Sequence, residues 1–246
     1  MNKVVIITGG SRGIGRKLVE DFARDGYKVA FTYLTNEESS LKLKESLNNS
    51  GSQVICKKMD LAKDDDIISF VDFVMNTFGG IDVLINSATS TNDSLFQDKT
   101  TKTFEDVLRV NLVGTFLLSK LVGDIMYKNK SGKIINISST NGINTYFPMC
   151  LEYDASKAGI NSLTHNLAMQ FAPYVNVNAI APGFIATESE IKDMDDEFIR
   201  SEEEKILLKR AGTEEDVSNL VLFLSGDKSN YINNQIIKIN GGMYGD

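Results

Sequence analysis

Short apolar runs alternate with amphipathic stretches along the whole chain. The run at 3–8, KVVIIT, is continuous and rich in β-branched residues, which is typical of a strand buried on both faces. The stretch at 15–26 that follows has apolar residues at helical spacing and ends at a glycine. Further apolar runs predict strands at 28–33, 53–60, 81–88, 132–139, 175–183 and 234–241.

Amphipathic stretches between these strands predict helices at 37–51, 64–79, 103–129, 152–172 and 213–226, with 103–129 as one long helix. At the last of these, Thr213 precedes a run of acidic residues and is the expected N-cap. Strands that alternate with helices from end to end predict parallel pairing through right-handed crossovers. The predicted fold class is α/β: a Rossmann-type doubly wound parallel sheet of about seven strands, in a single domain over 1–246.

A charged segment at 188–206, ESEIKDMDDEFIRSEEEKI, interrupts this alternation. One interpretation is a solvated loop with no special role. The other is a lid over a substrate site, at about 188–210. The sequence alone leaves both open.

Charge and composition narrow the classes of function. The chain has 33 acidic and 26 basic residues and a net charge of -7, which argues against nucleic-acid and anionic-membrane partners. Two distant cysteines and one histidine form no metal-binding pattern, so we expect no metal and no disulfide framework. No run approaches the roughly 18 apolar residues of a membrane span, and the N-terminus lacks a secretory signal. We therefore expect a cytoplasmic protein.

A glycine-rich segment, TGGSRGIG at 8–15, lies between the first predicted strand and the first predicted helix. Glycine permits a sharp turn and a close backbone approach, and the N-terminus of a helix attracts phosphate. Gly9, Gly13 and Gly15 are placed for these roles. A turn without a ligand is the alternative, but the strand–turn–helix context favours a dinucleotide site.

Tyr153 and Lys157 in YDASK lie four residues apart and therefore share one face of a predicted helix. Taken alone, such a pair is typical of an exposed surface. The glycine spacing TGxxxGxG together with this pair resembles the short-chain dehydrogenase/reductase family. The resemblance extends over essentially the whole chain. The C-terminal INGGMYG resembles in particular the bacterial 3-oxoacyl-[acyl-carrier-protein] reductases of that family.

The resemblance implies four catalytic residues. Tyr153 would be the general acid or base, and Lys157 would lower its pKa and bind the nicotinamide ribose. Ser139 would donate a hydrogen bond to the substrate oxygen, with Ser138 and Thr140 as lesser candidates. Asn111 would hold a water in the proton relay. The spacing from Ser139 to Tyr153 is one residue longer than expected for close relatives.

The resemblance also implies a set of cofactor contacts. Asn86 and Ala88 match the family's turn after the fourth strand, whereas Ser87 and Thr89 depart from it. The full set is Gly9, Ser11, Arg12, Gly13, Ile14, Gly15, Tyr33, Thr35, Asp60, Leu61, Asn86, Ala88, Tyr153, Lys157, Pro182, Gly183, Ile185 and Thr187.

NADP(H) is favoured over NAD(H) on two grounds. No acidic residue follows the second strand before Glu37, so the usual partner of the ribose 2′-hydroxyl is missing. Arg12 lies inside the glycine segment, where it could meet a 2′-phosphate.

The function implied is an NADP(H)-dependent oxidoreductase that transfers a hydride between a nicotinamide and a carbonyl or alcohol carbon. A 3-oxoacyl group on acyl carrier protein is one substrate; a small ketone, sugar or steroid-like alcohol is another. A catalytically silent dinucleotide-binding sensor or scaffold is the alternative from a different class. Carrier proteins are acidic, so the acidic lid would oppose their docking, with Lys128, Lys130 and Lys133 as basic candidates. The resemblance also implies a homotetramer.

Overall fold

Seven parallel strands form a single sheet in this computed structural model, which describes residues 3–144, 146–187 and 194–243. The strand order is β3-β2-β1-β4-β5-β6-β7, so the order reverses between β1 and β4. The predicted fold class is confirmed, and the crevice at that reversal is where open α/β sheets bind ligands. The strands are β1 Val4–Ile7, β2 Lys28–Tyr33, β3 Gln53–Lys58, β4 Val83–Asn86, β5 Gly132–Ile137, β6 Val175–Pro182 and β7 Ile236–Ile239.

Helices cover both faces of the sheet and create two separate hydrophobic cores. In β1, Val4 and Ile6 pack into one core, and Val5 and Ile7 pack into the other. Because successive strand residues point to opposite faces, both sets must be apolar, which explains the unbroken run KVVIIT. The helices are α1 Gly13–Arg24, α2 Glu37–Asn49, α3 Asp64–Phe78, α4 Thr101–Leu108, α5 Thr115–Lys128, α6 Leu151–Gln170, α7 Asp196–Lys205 and α8 Glu214–Ser225.

The predicted long helix at 103–129 is not a uniform α-helix. A π-helical turn, Arg109–Gly114, separates α4 from α5. The helix also begins earlier than predicted, because Thr100 caps it by accepting a hydrogen bond from the Thr103 backbone N–H. Periodicity of apolar residues does not distinguish a π turn from an α turn over so short a stretch, so the sequence pattern missed this feature.

The same helical stretch bears on the expectation that no part of the chain is long and apolar enough to span a membrane. By length and composition alone, Thr101–Lys128 could cross a membrane, since an 18-residue window within it has a mean hydropathy of 1.2. Its apolar residues include Leu118, Val122 and Met126, which are fully buried against the sheet in one of the two cores. Core helices pass the same test, so this stretch is weak evidence for a membrane span.

The charged segment at 188–210 contains a helix, α7, over Asp196–Lys205. Its residues 188–193 lie outside the described part of the chain. Beyond them, α7 begins after Asp195, whose carboxylate accepts a hydrogen bond from the Glu197 backbone N–H. The interpretation as a plain loop is therefore wrong for α7. At α8 the predicted cap is confirmed, since Thr213 Oγ1 accepts from the Asp216 backbone N–H.

Candidate active site

The glycine-rich loop between β1 and α1 is a tight backbone cradle. Gly9 and Gly13 adopt positive φ angles of 71° and 51°, which residues with a side chain rarely tolerate. A Cβ added at Gly15 would lie 2.2 Å from the Gly9 carbonyl oxygen, and one at Gly9 would lie 2.9 Å from Ala88 Cα. Glycine is therefore required here both for the turn and for close approach.

Two threonine hydroxyls hold this cradle in place. Thr8 Oγ1 accepts hydrogen bonds from the backbone N–H groups of Ser87 and Ala88, each at 2.9 Å. Thr32 Oγ1 accepts one from the Gly9 N–H at 3.2 Å. The loops after β1 and β4 are thereby joined across the point where the strand order reverses. Neither threonine is among the residues predicted from the sequence, because a threonine at the end of a strand gives no distinctive signal.

The N-terminus of α1 is available to an anion. Within the described ranges, no side chain caps α1, and its first turn contains no acidic residue. Unpaired N–H groups and the helix dipole together attract phosphate at such a terminus. Ser11 and Ile14 are partly exposed, and Arg12 is exposed. The cradle and the helix terminus therefore fit the diphosphate of a dinucleotide.

The loop after β6 reaches the same cradle. A Cβ added at Gly13 would lie 3.7 Å from Thr187 Cγ2, so the predicted contact residue Thr187 stands beside the glycine loop. Upstream, Gly183 lies so close to Asn240 that an added Cβ would come within 2.7 Å of its side chain. Ile185 is buried, and it pairs with Gly212 in an isolated β-bridge. Pro182 ends β6 at this edge of the sheet.

The predicted adenosine-side residues lie at the carboxyl ends of β2 and β3. Tyr33 is buried at the end of β2, and its hydroxyl donates to Glu37 Oε1 at 3.1 Å. Burial and this hydrogen bond raise the pKa of Tyr33, so it stays a neutral donor. Thr35 is exposed nearby.

After β3, Asp60 and Leu61 begin a turn that leads into α3. Asp60 Oδ1 accepts from the Ala62 N–H at 2.9 Å, and the Asp60 N–H donates to Asp66 Oδ2 at 3.0 Å. Leu61 is buried. A Cβ added at Gly114 would lie 2.3 Å from the Leu61 carbonyl oxygen, so the π-helical turn packs directly against this segment.

Asn86 is directed into the protein interior. Its Nδ2 donates to Ser119 Oγ at 2.9 Å and to Asn136 Oδ1 at 2.8 Å. Asn136 in turn donates to Thr164 Oγ1 at 2.8 Å. This buried network ties β4 and β5 to α5 and α6 beneath the crevice. The side chain of Asn86 therefore supports the site from below.

Lys157 is buried beneath Tyr153 on α6, which rules out the interpretation of the pair as surface residues. Its Nζ donates to the Ile137 carbonyl oxygen at 2.8 Å and lies 5.2 Å from the centre of the Tyr153 ring. Only 4% of Lys157 is exposed, and this burial lowers its pKa to about 8. The amine thus joins the end of β5 to the helix that carries the tyrosine.

The two adjacent serines after β5 have different surroundings. Ser138 Oγ donates to Asn161 Oδ1 at 2.7 Å and lies 3.3 Å from the Lys157 carbonyl oxygen, so it anchors α6. Ser139 Oγ accepts from the Asn141 N–H at 3.2 Å, which leaves its own proton available for another acceptor. Ser139 is therefore the better candidate to bind a substrate oxygen. Thr140, the third candidate, is buried in the turn that follows.

Asn111 lies in the π-helical turn and is buried. Its Oδ1 accepts from the Ser90 N–H at 2.7 Å, and its Nδ2 donates to the Ser90 carbonyl at 2.9 Å and to Ser156 Oγ at 3.0 Å. Ser156 Oγ donates to the Tyr153 carbonyl oxygen at 2.7 Å. The side chain of Asn111 thus connects the segment after β4 to the helical turn of Tyr153.

We predict that Gly13→Ala weakens dinucleotide binding at least about tenfold, because the new side chain strains a positive φ angle inside the cradle. Quenching of intrinsic fluorescence by NADPH measures the affinity. Gly80→Ala is the matched control, since a Cβ there meets nothing within 4 Å. Equal losses in both variants would contradict a phosphate-binding role for the loop.

We predict a pH-dependent stability difference between the wild type and Lys157→Met. Unfolded lysine keeps its proton up to its ordinary pKa of 10.5, whereas folded Lys157 releases it at about 8. Because the unfolded state binds more protons between these values, the free energy of unfolding contributed by Lys157 rises with pH there. Relative to Lys157→Met, the wild type should gain about 2 kcal/mol between about pH 7.5 and about pH 10.

Urea unfolding at both pH values measures this difference, and the comparison cancels groups that titrate equally in the two proteins. Lys42→Met removes an exposed lysine that pairs with Glu38 and should show no such trend. A constant difference between the wild type and Lys157→Met would show that Lys157 has an ordinary pKa.

Comparison with known proteins agrees with this geometry. A model of the short chain dehydrogenase family matches residues 3–197. The chain is 37% identical to the 3-oxoacyl-[acyl-carrier-protein] reductase of Staphylococcus epidermidis, over 99% of this chain and 100% of that protein. It is also 37% identical to the reductase of the same name from Aquifex aeolicus, over 98% and 97% of the two chains. The chain belongs to the short-chain dehydrogenase family, whose members are oxidoreductases that use a nicotinamide dinucleotide.

Proposed function

We propose that this protein uses NADP(H) to reduce 3-oxoacyl thioesters, with acyl-carrier-protein thioesters as the first substrates to test. The observation that carries the proposal is the buried Lys157 ammonium beneath Tyr153, at the same edge of the sheet as the glycine cradle. The names of the relatives reported above support the substrate class. Ser139 and Asn111 complete the proposed catalytic set.

Tyr153 supplies the proton when the carbonyl is reduced and removes it in the reverse direction. A phenol has an ordinary pKa of about 10, which is high for proton exchange at neutral pH. The Lys157 ammonium near the ring favours the phenolate and so lowers that pKa. At neutral pH, Lys157 is itself mostly protonated, since its pKa is about 8. Burial therefore tunes the lysine without removing its charge.

Ser139 donates its proton toward the oxygen on which negative charge develops. The side-chain amide of Asn111 is hydrogen-bonded to Ser90 and Ser156, so Asn111 contributes to the proton relay by holding these segments in place. A bound nicotinamide dinucleotide would supply the hydride. The glycine cradle and the first turn of α1 would hold its diphosphate, and Lys157 would hold its nicotinamide ribose.

The preference for NADP(H) rests on the end of β2. No carboxylate stands at Tyr33, Leu34 or Thr35, so the residue that usually holds the ribose 2′-hydroxyl is missing. Glu37 is engaged by the Tyr33 hydroxyl. Arg12 is exposed at the entrance of α1, where a guanidinium can bind a 2′-phosphate.

An apolar rim surrounds the carboxyl edge of the sheet and suits an acyl chain. Its members follow β4, β5 and β6 and remain exposed although they are large and hydrophobic. They are Leu95, Phe96, Ile143, Tyr146, Phe147, Met149, Phe198, Leu207 and Leu208. An acyl chain that covered them would gain the free energy of burying apolar surface.

The basic residues considered for carrier-protein docking do not lie at this rim. Lys128 ends α5, Lys130 follows it, and Lys133 is the second residue of β5, so all three are at the opposite edge of the sheet. Lys133 is buried and donates to Ser229 Oγ at 3.1 Å. Within one chain, none of the three can receive a carrier protein at the mouth of the site. An experiment must therefore decide whether the substrate is a thioester of acyl carrier protein or of CoA.

Assembly as a homotetramer in the cytoplasm is part of the proposal. Val113 and Phe116 remain exposed in the π turn and α5, and Met169 remains exposed in α6. Unpartnered apolar side chains on long helices suit an interface between copies. No nucleic acid, membrane or metal takes part in the proposed reaction.

The test is oxidation of NADPH, followed by absorbance, with acetoacetyl-carrier protein, acetoacetyl-CoA and a panel of small ketones, sugars and steroid-like ketones. We expect the highest kcat/KM with a 3-oxoacyl thioester. Turnover confined to other carbonyls would replace the substrate and keep the chemistry. Tight NADPH binding without turnover on any substrate would favour the silent sensor.

We predict that Tyr153→Phe lowers kcat by about 10²–10⁴-fold, because the variant lacks the transferred proton. NADPH affinity should stay within about twofold of the wild type. Tyr231→Phe, at a fully exposed position, is the control and should retain full activity. Turnover by Tyr153→Phe near the wild-type rate would overturn the assignment of Tyr153.

We predict that Arg12→Ala lowers kcat/KM with NADPH by about tenfold and leaves kcat/KM with NADH nearly unchanged, because only NADPH carries the 2′-phosphate. Arg16→Ala removes another arginine of α1, which pairs with Glu20, and serves as the control. A parallel decrease with both cofactors would contradict recognition of the 2′-phosphate by Arg12.

A further inference from the structure

A buried ion pair includes the residue that precedes Tyr153 in α6. Glu152, the preceding residue in α6, is 0% exposed, and its Oε1 accepts a hydrogen bond from Lys99 Nζ at 2.8 Å. The Lys99 side chain is 8% exposed, and its ammonium also donates to the Asn92 carbonyl oxygen at 2.8 Å. The pair therefore ties the first turn of α6 to the segment 92–99, which follows β4.

Other residues around Tyr153 anchor neighbouring segments in the same way. Asp154 accepts hydrogen bonds from Asn141 Nδ2 at 2.7 Å and from the Phe147 N–H at 3.0 Å, which fixes the loop after β5. Ser156 is held by Asn111, which also clamps Ser90. Tyr153 thus lies between anchors to both loops that border the cleft.

Stability alone does not explain the Lys99–Glu152 pair. Burying two charges costs several kcal/mol per ion, and apolar residues of similar volume are often equally or more stabilising. The second carboxylate oxygen, Glu152 Oε2, is buried and has no hydrogen-bond partner among the described residues. A buried carboxylate with one unpaired oxygen lowers the stability of the folded protein, and this one precedes the proposed proton donor in the chain.

The surroundings of the pair are mostly acidic. Cys150 lies at the start of the same helix, and its thiol pKa is raised to about 12 by burial and by Asp154, Asp93 and Glu152, with Lys99 acting in the opposite sense. Lys99 therefore offsets the nearby carboxylates at the start of α6. Lys157 provides a further positive charge, 5.2 Å from the centre of the Tyr153 ring.

We propose that Lys99 and Glu152 are positioning residues for Tyr153. Their ion pair fixes the segment 92–99 against the first turn of α6, and it leaves no net charge from these two residues near the phenol. The proposal deepens the proposed function and rests on Tyr153 as its proton donor. The proposal predicts the direction in which the pKa of Tyr153 changes when either residue is replaced. Removing the lysine leaves a negative charge near Tyr153, and removing the carboxylate leaves a positive one.

The test is an NMR titration of protein that carries tyrosine isotope-labelled at Cζ, with the Tyr153 signal assigned by its absence in Tyr153→Phe. We expect Lys99→Met to raise the pKa of Tyr153 and Glu152→Gln to lower it, each by about one unit. In the double variant, Lys99→Met with Glu152→Gln, the pKa should return to the wild-type value. This double variant holds no uncompensated charge and covers the case in which a single variant fails to fold.

The titration reads Tyr153 directly, so it gives an answer even if no substrate is turned over and the proposed function fails. Lys102→Met, which removes an exposed lysine paired with Asp106 nearby, is the control and should shift nothing. A displaced pKa in the double variant, or single-variant shifts that are absent or of the same sign, would overturn the inference. Where the wild type is active, kcat in the folded single variants should fall by about tenfold or more.

Discussion

The arrangement of the candidate site depends on one buried amine. Lys157 extends from α6 to the Ile137 carbonyl oxygen at the end of β5 and lies beneath the ring of Tyr153. Burial makes this lysine less basic, and its pKa of about 8 leaves it charged at neutral pH. The same interaction locates α6 against the sheet and places a cation beside the proposed proton donor. Structure and chemistry are therefore coupled at this one residue.

The polar interior around the lysine follows from that requirement. Ser138 is hydrogen-bonded to Asn161 of α6, and the Asn86–Asn136–Thr164 network also reaches α6. Asn111 links α6 to the segment after β4. Buried polar groups are costly unless they are paired, and here nearly all of them are paired with one another. The network joins the ends of β4 and β5 to α5 and α6 through hydrogen bonds.

The substrate end of the site is specified less strictly than the cofactor end. Neighbouring backbone atoms fill the space that a side chain would need at Gly9 and Gly15, and a positive φ angle favours glycine at Gly13. The rim contains exposed apolar side chains, and the acidic helix α7 contributes to it. The three lysines considered for carrier docking, Lys128, Lys130 and Lys133, lie at the far edge of the sheet. The apolar surface suits an acyl chain.

The sequence by itself determined the strand–helix alternation, the glycine cradle and the Tyr153–Lys157 pair, because each depends on local periodicity or on residues close in the chain. It did not determine the π turn at Arg109–Gly114 or the helix α7, whose local patterns fit other structures equally well. The choice of Ser139 over Ser138 followed from resemblance alone, and only the tertiary structure gave it a physical ground. Only the tertiary structure directed Asn86 inward and joined Lys99 to Glu152. Those facts depend on contacts between segments far apart in the chain, which packing fixes and local sequence does not encode.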